Sequence, residues 1–385
     1  MKKMAKIMMV TVFCIALVLP VFAGGGSQAA GADVIRIGVF EPMTGANAAG
    51  GAMEVEGIRL ANELNPTVTV GGKTYKVELV VADNKSDKVE AATAVQRLID
   101  ADKVTLILGS WGSSLSMAGG EVAREARIPV IGLSCTNPLV TAGNDYYFRV
   151  CFIDPFQGTV MANYAYNNLN ARAAVIVQEV SNDYSVGLAK FFSDNFKRLT
   201  GNPNSILTTV NYNTGDQDFS AQLTSIKSFN PDVIFAPGNY TESALVMKQA
   251  RELGIDVPVI GGDTWETPEF IDVGRERVEG AVFSTFFASE VAATPAAEIF
   301  LKEYRSRYNK EPAAVTALGY DGYLVALDAI KRANSTDPLK IRDAVAATSG
   351  FVGATGTTTL DENGTLPRAP LSRLLKAGNS STKPS

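Results

Sequence analysis

The 385-residue sequence contains no histidine. That absence removes Ser-His-Asp triads, imidazole acid–base catalysis and every metal site built on a histidine ligand. Only three cysteines are present, one fewer than an all-cysteine zinc site or an iron–sulfur cage needs. Positive charge is the minority sign, 35 Lys and Arg against 40 Asp and Glu, and forms no basic stripe, which argues against a nucleic-acid partner. Repeats at solenoid or propeller periods are lacking. Beyond the N-terminus, apolar runs long enough to span a bilayer are lacking too. What remains is ordinary globular composition, 46% hydrophobic, 19% charged and 8% aromatic, at a length that suggests two domains.

A targeting signal opens the chain. Lys2, Lys3 and Lys6 precede an apolar stretch from Ile7 to Phe22, and Val21-Phe22-Ala23 ends in a small residue before Gly24. That is the charged, apolar and small-residue order of a cleaved signal peptide, residues 1–23, with an apolar stretch shorter than the roughly 20 residues of a spanning helix. Cys14 lies inside the stretch behind bulky Phe13, which argues against a lipidated cysteine. Cleavage after Ala23 leaves 32 positive and 40 negative groups, a formal charge of −8. An acidic, exported, soluble protein is expected. Its compartment is oxidising, but nothing in the sequence brings Cys135 and Cys151 within bridging distance, so two free buried thiols are expected.

The rest alternates strand and helix. Val34–Phe40 is a β-branched apolar run, followed by helical spacing through Val55, Ile58, Ala61 and Leu64. Val68–Val70 and Tyr75–Val81 flank Gly71-Gly72 as a hairpin. Asp87, with Glu90 three residues on, caps a helix that runs to Ala101. Strands are expected at 104–108, 129–133, 173–180, 206–212, 233–236, 257–260 and 281–286, and helices at 113–125, 186–200, 220–228, 243–253, 296–308, 314–333 and 338–347. Alternation of this kind gives parallel sheets covered by helices on both faces, here an α/β protein of two doubly wound, Rossmann-like lobes.

Such sheets bind ligands beyond the carboxyl ends of their strands. The loops at five strand ends are small, polar and aromatic: Gly109–Ser114, Ser134–Pro138, Ser181–Ser185, Pro237–Tyr240 and Gly261–Trp265. Their chemistry fits a zwitterion. Ser113 and Ser114 open a helix, where hydroxyls and free N–H groups can hold a carboxylate. Ser134 and Thr136 add a hydroxyl and a carbonyl acceptor, Asp263 supplies one negative charge for an ammonium, and Tyr184 and Tyr240 offer ring faces and hydroxyls. These five loops carry no Lys or Arg, so a phosphate or a dicarboxylate is a poor candidate. Signals for an enzyme are weak. Gly71-Gly72-Lys73-Thr74 ends like a phosphate-binding loop, but Thr67 stands where that motif begins with glycine. The glycine-spaced Gly350–Gly356 opens no evident helix, and Asp361-Glu362 reads as a turn.

Across Val34 to about Leu360 the chain resembles the periplasmic leucine/isoleucine/valine-binding proteins, the receptor components of ABC amino-acid importers. The similar stretches are Ile37–Gly45, Gly109–Ser114, Ser134–Pro138, Phe148–Gly158, Asp183–Leu188, Pro237–Tyr240 and Gly261–Asp263. The resemblance implies a type I periplasmic binding fold: two lobes joined by a three-crossover hinge, with one ligand buried between them. The lobes would be 33–152 plus 285–368 and 153–284 plus 369–385, with crossovers near Cys151–Asp154, Phe283–Phe286 and Arg368–Leu371. It also implies that Ser113, Ser134 and Thr136 contact the α-carboxylate and α-ammonium of an amino acid, that Asp263 is the acidic ammonium partner, and that Tyr184 and Tyr240 close over the ligand. The implied protein is a periplasmic monomer without cofactor, metal or catalytic activity. It takes an amino acid, branched-chain or otherwise apolar, and docks on a membrane permease. A sensor of the same fold, or a binder of an amide or aromatic acid, uses the same cleft. Two departures stand out. The first-lobe disulfide of well-known members is replaced by Ser86 and Gly112, and the loop Ala46–Gly51 carries no bulky side chain, which predicts a larger pocket.

Overall fold

Residues 33–366 and 374–376 are described in a computed structural model. The expected signal peptide with Cys14, and the third crossover expected at Arg368–Leu371, lie outside the described residues. Chain order begins with β1 (Val34–Glu41), α1 (Ala48–Leu64), β2 (Thr67–Val70), β3 (Lys73–Asp83), α2 (Lys88–Asp100), β4 (Leu106–Leu108), α3 (Ser113–Ala126), β5 (Val130–Gly132) and β6 (Tyr147–Arg149). Then come α4 (Asp154–Asn163), β7 (Ala174–Glu179), α5 (Asp183–Thr200), β8 (Ile206–Tyr212), α6 (Ser220–Phe229), β9 (Val233–Phe235), α7 (Tyr240–Glu252), β10 (Val259–Gly261), α8 (Pro268–Gly274) and β11 (Val282–Ser284). The chain closes with α9 (Pro295–Tyr308), α10 (Ala314–Ala333), α11 (Pro338–Ala346), the short strands β12 (Phe351–Val352) and β13 (Thr357–Thr358), and β14 (Leu374–Lys376).

These elements build two six-stranded sheets, ordered β2-β3-β1-β4-β5-β6 and β14-β11-β10-β9-β7-β8. Pairing is parallel except at the β2/β3 hairpin and at β14. Central strands are buried on both faces because helices cover both sides; β1 has only Arg36 exposed. Gly71 and Gly72 turn the hairpin with φ of +58° and +79°, a conformation that suits residues without a Cβ. Residues 150–153 lead from the first sheet to α4, and residues 285–294 lead back from β11 to α9, whose Ala297, Phe300 and Leu301 join the first lobe's apolar core.

Helix α1 crosses α10 so closely that a Cβ on Gly57 would stand 1.9 Å from the Thr316 carbonyl oxygen, and one on Gly319 would stand 2.3 Å from that of Glu54. The segment Gly350–Gly356 is a hairpin wrapped on the buried Asp321, whose carboxylate accepts from Ala354 N, Thr355 N and Thr355 Oγ1 at 2.6, 2.8 and 2.6 Å. Among the described residues, no helix is long and apolar enough to cross a membrane.

In each sheet the chain reverses its winding direction beside one strand. After β1 it goes to β3 on one side and β4 on the other; after β7 it goes to β8 and β9. A crevice therefore opens at the carboxyl ends of β1 and β4 in one lobe and of β7 and β9 in the other. The two crevices face each other.

Candidate functional site

One cavity of about 620 Å³, its mouth included, lies between these strand ends. Ser113, Ser134, Tyr184 and Asp263 all line it, so four of the residues expected from sequence are brought together. Thr136 and Tyr240 are not among the lining residues. Thr136 is fully buried beside Asp154, and its carbonyl accepts from Asp154 N at 3.0 Å, so it supports the loop from behind. Tyr240 is the first residue of α7 and turns toward the first lobe. Its hydroxyl donates to Ala46 O at 2.7 Å and accepts from Ala49 N at 3.2 Å. Its neighbour Asn239 takes the cavity position instead, with Nδ2 donating to Asn47 Oδ1 at 3.0 Å.

The first-lobe wall is the start of α3. Gly112 precedes it with φ of +94°, and the N–H groups of the first helical turn have no acceptor within the helix. Ser113 Oγ accepts from Asn137 N at 3.1 Å, which ties this helix start to the loop after β5 while leaving the Ser113 proton free to donate. Ser114 does not behave as expected. Its hydroxyl is occupied by Asp183 of the opposite lobe and is not offered to a ligand carboxylate. Behind the wall lie two adjacent buried carboxyls. Burial, then the neighbouring Glu54, pushes Glu41 well above the ordinary carboxylate range, and burial pushes Glu54 up to about 7. Glu41 Oε2 accepts from Trp111 N at 2.7 Å and so anchors the loop after β4.

Trp111 corrects the expectation of a larger pocket. The loop Ala46–Gly51 is indeed without bulk, but the indole occupies that room from the other side: a Cβ on Gly50 would stand 2.3 Å from Trp111 Cε2. Trp111 lines the cavity and meets the Tyr240 ring edge-on at 5.9 Å. Ser86 and Gly112, which stand where relatives carry a disulfide, also line the cavity, and Cys135 and Cys151 are buried and free.

The second-lobe wall centres on Asp263, just after β10. Its Oδ1 accepts from Gln157 Nε2 at 2.8 Å and Tyr184 OH at 2.9 Å, and its N–H donates to Gln157 Oε1 at 3.0 Å. Gly262 is needed here, since a Cβ would stand 2.0 Å from the Tyr184 hydroxyl. Burial holds the Asp263 carboxyl up at about 6, against the lowering effect of Gln157 and Tyr184. Above it, buried Glu179 accepts from Asn182 Nδ2 and Asn239 N, each at 3.1 Å, and from the Thr214 hydroxyl.

Sequence reasoning missed Glu179, Thr214, Ser86 and Lys88 as lining residues. All four sit at or near carboxyl ends of strands, a signal that applied to them as much as to the five loops chosen. Lys88 brings a cation to a cavity whose five named loops carry none, but it is paired with Asp183 at 3.0 Å.

A family model described as "Periplasmic binding protein" matches residues 34–373. The chain belongs to the periplasmic binding protein family. A Leu/Ile/Val-binding protein homologue of Brucella melitensis is 29% identical over 89% of this chain and 91% of its own length. Among solved structures, a leucine binding protein from Thermotoga maritima is similar at 44% identity with a TM-score of 0.85, covering 90% of this chain and 96% of that one. A branched-chain amino acid transporter substrate binding protein from Streptococcus pneumoniae, solved with isoleucine, is similar at 33% identity and a TM-score of 0.80, covering 89% of this chain and all of that one. The architecture of two parallel-sheet lobes is the type I periplasmic binding fold, and the family is one of binding proteins of transport systems.

Proposed function

We propose that this periplasmic binding protein is the exported receptor of an ABC importer and captures an α-amino acid with an apolar side chain. The observation that carries the proposal is the opposition of charge-complementary walls. Asp263 takes both hydrogen bonds from its neighbours on Oδ1, which leaves Oδ2 to meet an ammonium, while the start of α3 with Ser113 and Ser134 offers neutral donors to a carboxylate. Trp111 provides an apolar surface for the side chain. The names of the similar proteins, leucine binding and isoleucine-bound, support the same class.

In this reading the lobes are 33–152 plus 285–368 and 153–284 plus 369–385, a division that the sheet membership supports. Thr136 and Tyr240 serve from outside the ligand shell, one bracing the Ser134 loop and the other fastening the lobes. Closure buries the ammonium beside Asp263, and the closed monomer then docks on its permease in the periplasm, after removal of residues 1–23, with no catalysis, cofactor or metal. A ligand without the amine would leave a buried carboxylate unpaired, a penalty of several kcal/mol. The test is a thermal-shift screen of the common amino acids and their deaminated analogues against wild type and Asp263→Asn. Leucine, isoleucine or valine should raise the wild-type midpoint by mass action, and Asp263→Asn should abolish most of that rise. An Asp263→Asn variant that binds these amino acids as tightly as wild type would show that Asp263 is not the ammonium's partner, and a wild-type response to deaminated analogues alone would favour an amide or aromatic acid.

A further inference from the structure

Asp183 does not line the cavity, yet it makes a dense set of bonds across the cleft. It is the first residue of α5 in the second lobe, and all its cross-cleft partners belong to the first lobe. Its Oδ2 accepts from Ser114 Oγ at 2.7 Å and from Lys88 Nζ at 3.0 Å. Its own N–H donates back to Ser114 Oγ at 3.1 Å, and its carbonyl accepts from Asn137 Nδ2 at 2.8 Å. Three separate first-lobe elements thus converge on one residue: the start of α2, the start of α3 and the loop after β5. One turn further along α5, a Cβ on Gly187 would stand 2.7 Å from Asn137 Nδ2, so the helix lies against that loop with no room for a side chain.

The ion pair alone would contribute little, because its side chains are 54% and 43% exposed. The Ser114 bonds differ. Donor and acceptor are exchanged between the same two residues, and the carboxylate sits at a helix N-terminus that already favours negative charge. None of these bonds involves a solute. They exist when the lobes are together and are lost when they part, so they shift the open–closed balance by the same amount whatever is bound.

We infer that Asp183 is a positioning residue for capture: it draws three first-lobe elements onto α5 and so strengthens binding of every solute the cleft accepts, without touching any of them. The inference rests on the reading of the cleft as a solute trap.

Calorimetric titration of leucine and isoleucine into wild type, Asp183→Ala, Asp183→Asn and Ser114→Ala tests it. Asp183→Ala should weaken both ligands about tenfold by the same factor, leaving their ratio unchanged. Asp183→Asn should fall between it and wild type. Removing Ser114 and Asp183 together should cost no more than removing Asp183 alone. Affinities within twofold of wild type, or a changed ratio, would overturn the inference. A second arm uses no ligand. Spin labels on Gln96→Cys and Ser225→Cys, exposed positions on α2 and α6, report the distance between lobes, while Cys135 and Cys151 stay buried. In the free protein the short-distance population should shrink on Asp183→Ala, and identical distributions would count against the latch. Should no amino acid bind wild type, the amino-acid reading fails, and the label distances still judge the latch.

Discussion

At the scale of single residues, the proposed function makes Asp263 join the burial of a charge to the selection of a ligand. Its carboxyl ionises near 6 in the free cleft rather than at 3.8, because burial disfavours the charged form. An ammonium stabilises that charged form. Capturing an amino acid below pH 6 must therefore expel a proton, and affinity falls as the solution becomes more acidic. The affinity should rise roughly tenfold between pH 5 and pH 7 and level off above that. Isothermal titration across this range checks it, and Asp263→Asn should flatten the rise. The nearby Asp154 carboxyl, pushed by burial up to about 8, stays protonated through the same interval. The unliganded fold feels the opposite sign. Folding holds the Asp263 proton more tightly than the unfolded chain does, so this residue's contribution to stability is present at low pH and is lost as pH rises from 3.8 to about 6. A wild-type affinity that is flat with pH would mean that some other group meets the ligand's positive end.

At the scale of elements, the α1–α10 crossing sets where the first-lobe wall stands, since α1 carries Glu54 inward and begins beside the cavity. Gly57→Ala would place a methyl 1.9 Å from a backbone oxygen that cannot swing aside. The substitution should cost about 1–3 kcal/mol of stability, read as a lower guanidinium midpoint with an unchanged slope. The same elements show what the sequence carried. α10 runs over Ala314–Ala333 and β8 over Ile206–Tyr212, both as expected, because α10 has a long apolar pattern and β8 a short run rich in β-branched residues that packing did not need to override. The Asp87 cap was legible too, and its side chain accepts from Val89 N and Glu90 N. α4 was not. Its buried stripe, Asp154, Gln157, Gly158, Met161 and Ala162, begins with polar residues and a glycine, so hydropathy does not mark it, and Pro155 in its first turn reads equally as a loop. α5 starts three residues before the expected Val186, because the Asn182 side chain accepts from Tyr184 N and adds the turn that carries Asp183. The exchange of Tyr240 for Asn239 has a comparable cause. One residue at a helix start turns a side chain by about 100°, a rotation that composition cannot reveal.

At the scale of the whole molecule, first-lobe side chains reach into the second lobe's apolar core, Trp111 and Val315 among them. Trp111 belongs to the first lobe, yet it sits in the second lobe's apolar cluster, where its ring meets Tyr240 edge-on at 5.9 Å. The chain has one other tryptophan, Trp265, which is buried within the second lobe and stacked on Phe270 at 4.8 Å. Opening the cleft must separate Trp111 from Tyr240 and admit water to its indole, while Trp265 keeps its surroundings. Intrinsic fluorescence should therefore shift to the blue when ligand closes the lobes, and the whole shift should come from Trp111. Trp111→Phe should remove the signal while calorimetry still detects binding, weakened by the lost ring contact. Trp265→Phe should keep the signal on a lower background. If the shift instead survives in Trp111→Phe and disappears in Trp265→Phe, the motion lies inside the second lobe. The hinge at residues 150–153 and 285–294 would then not be what the ligand moves.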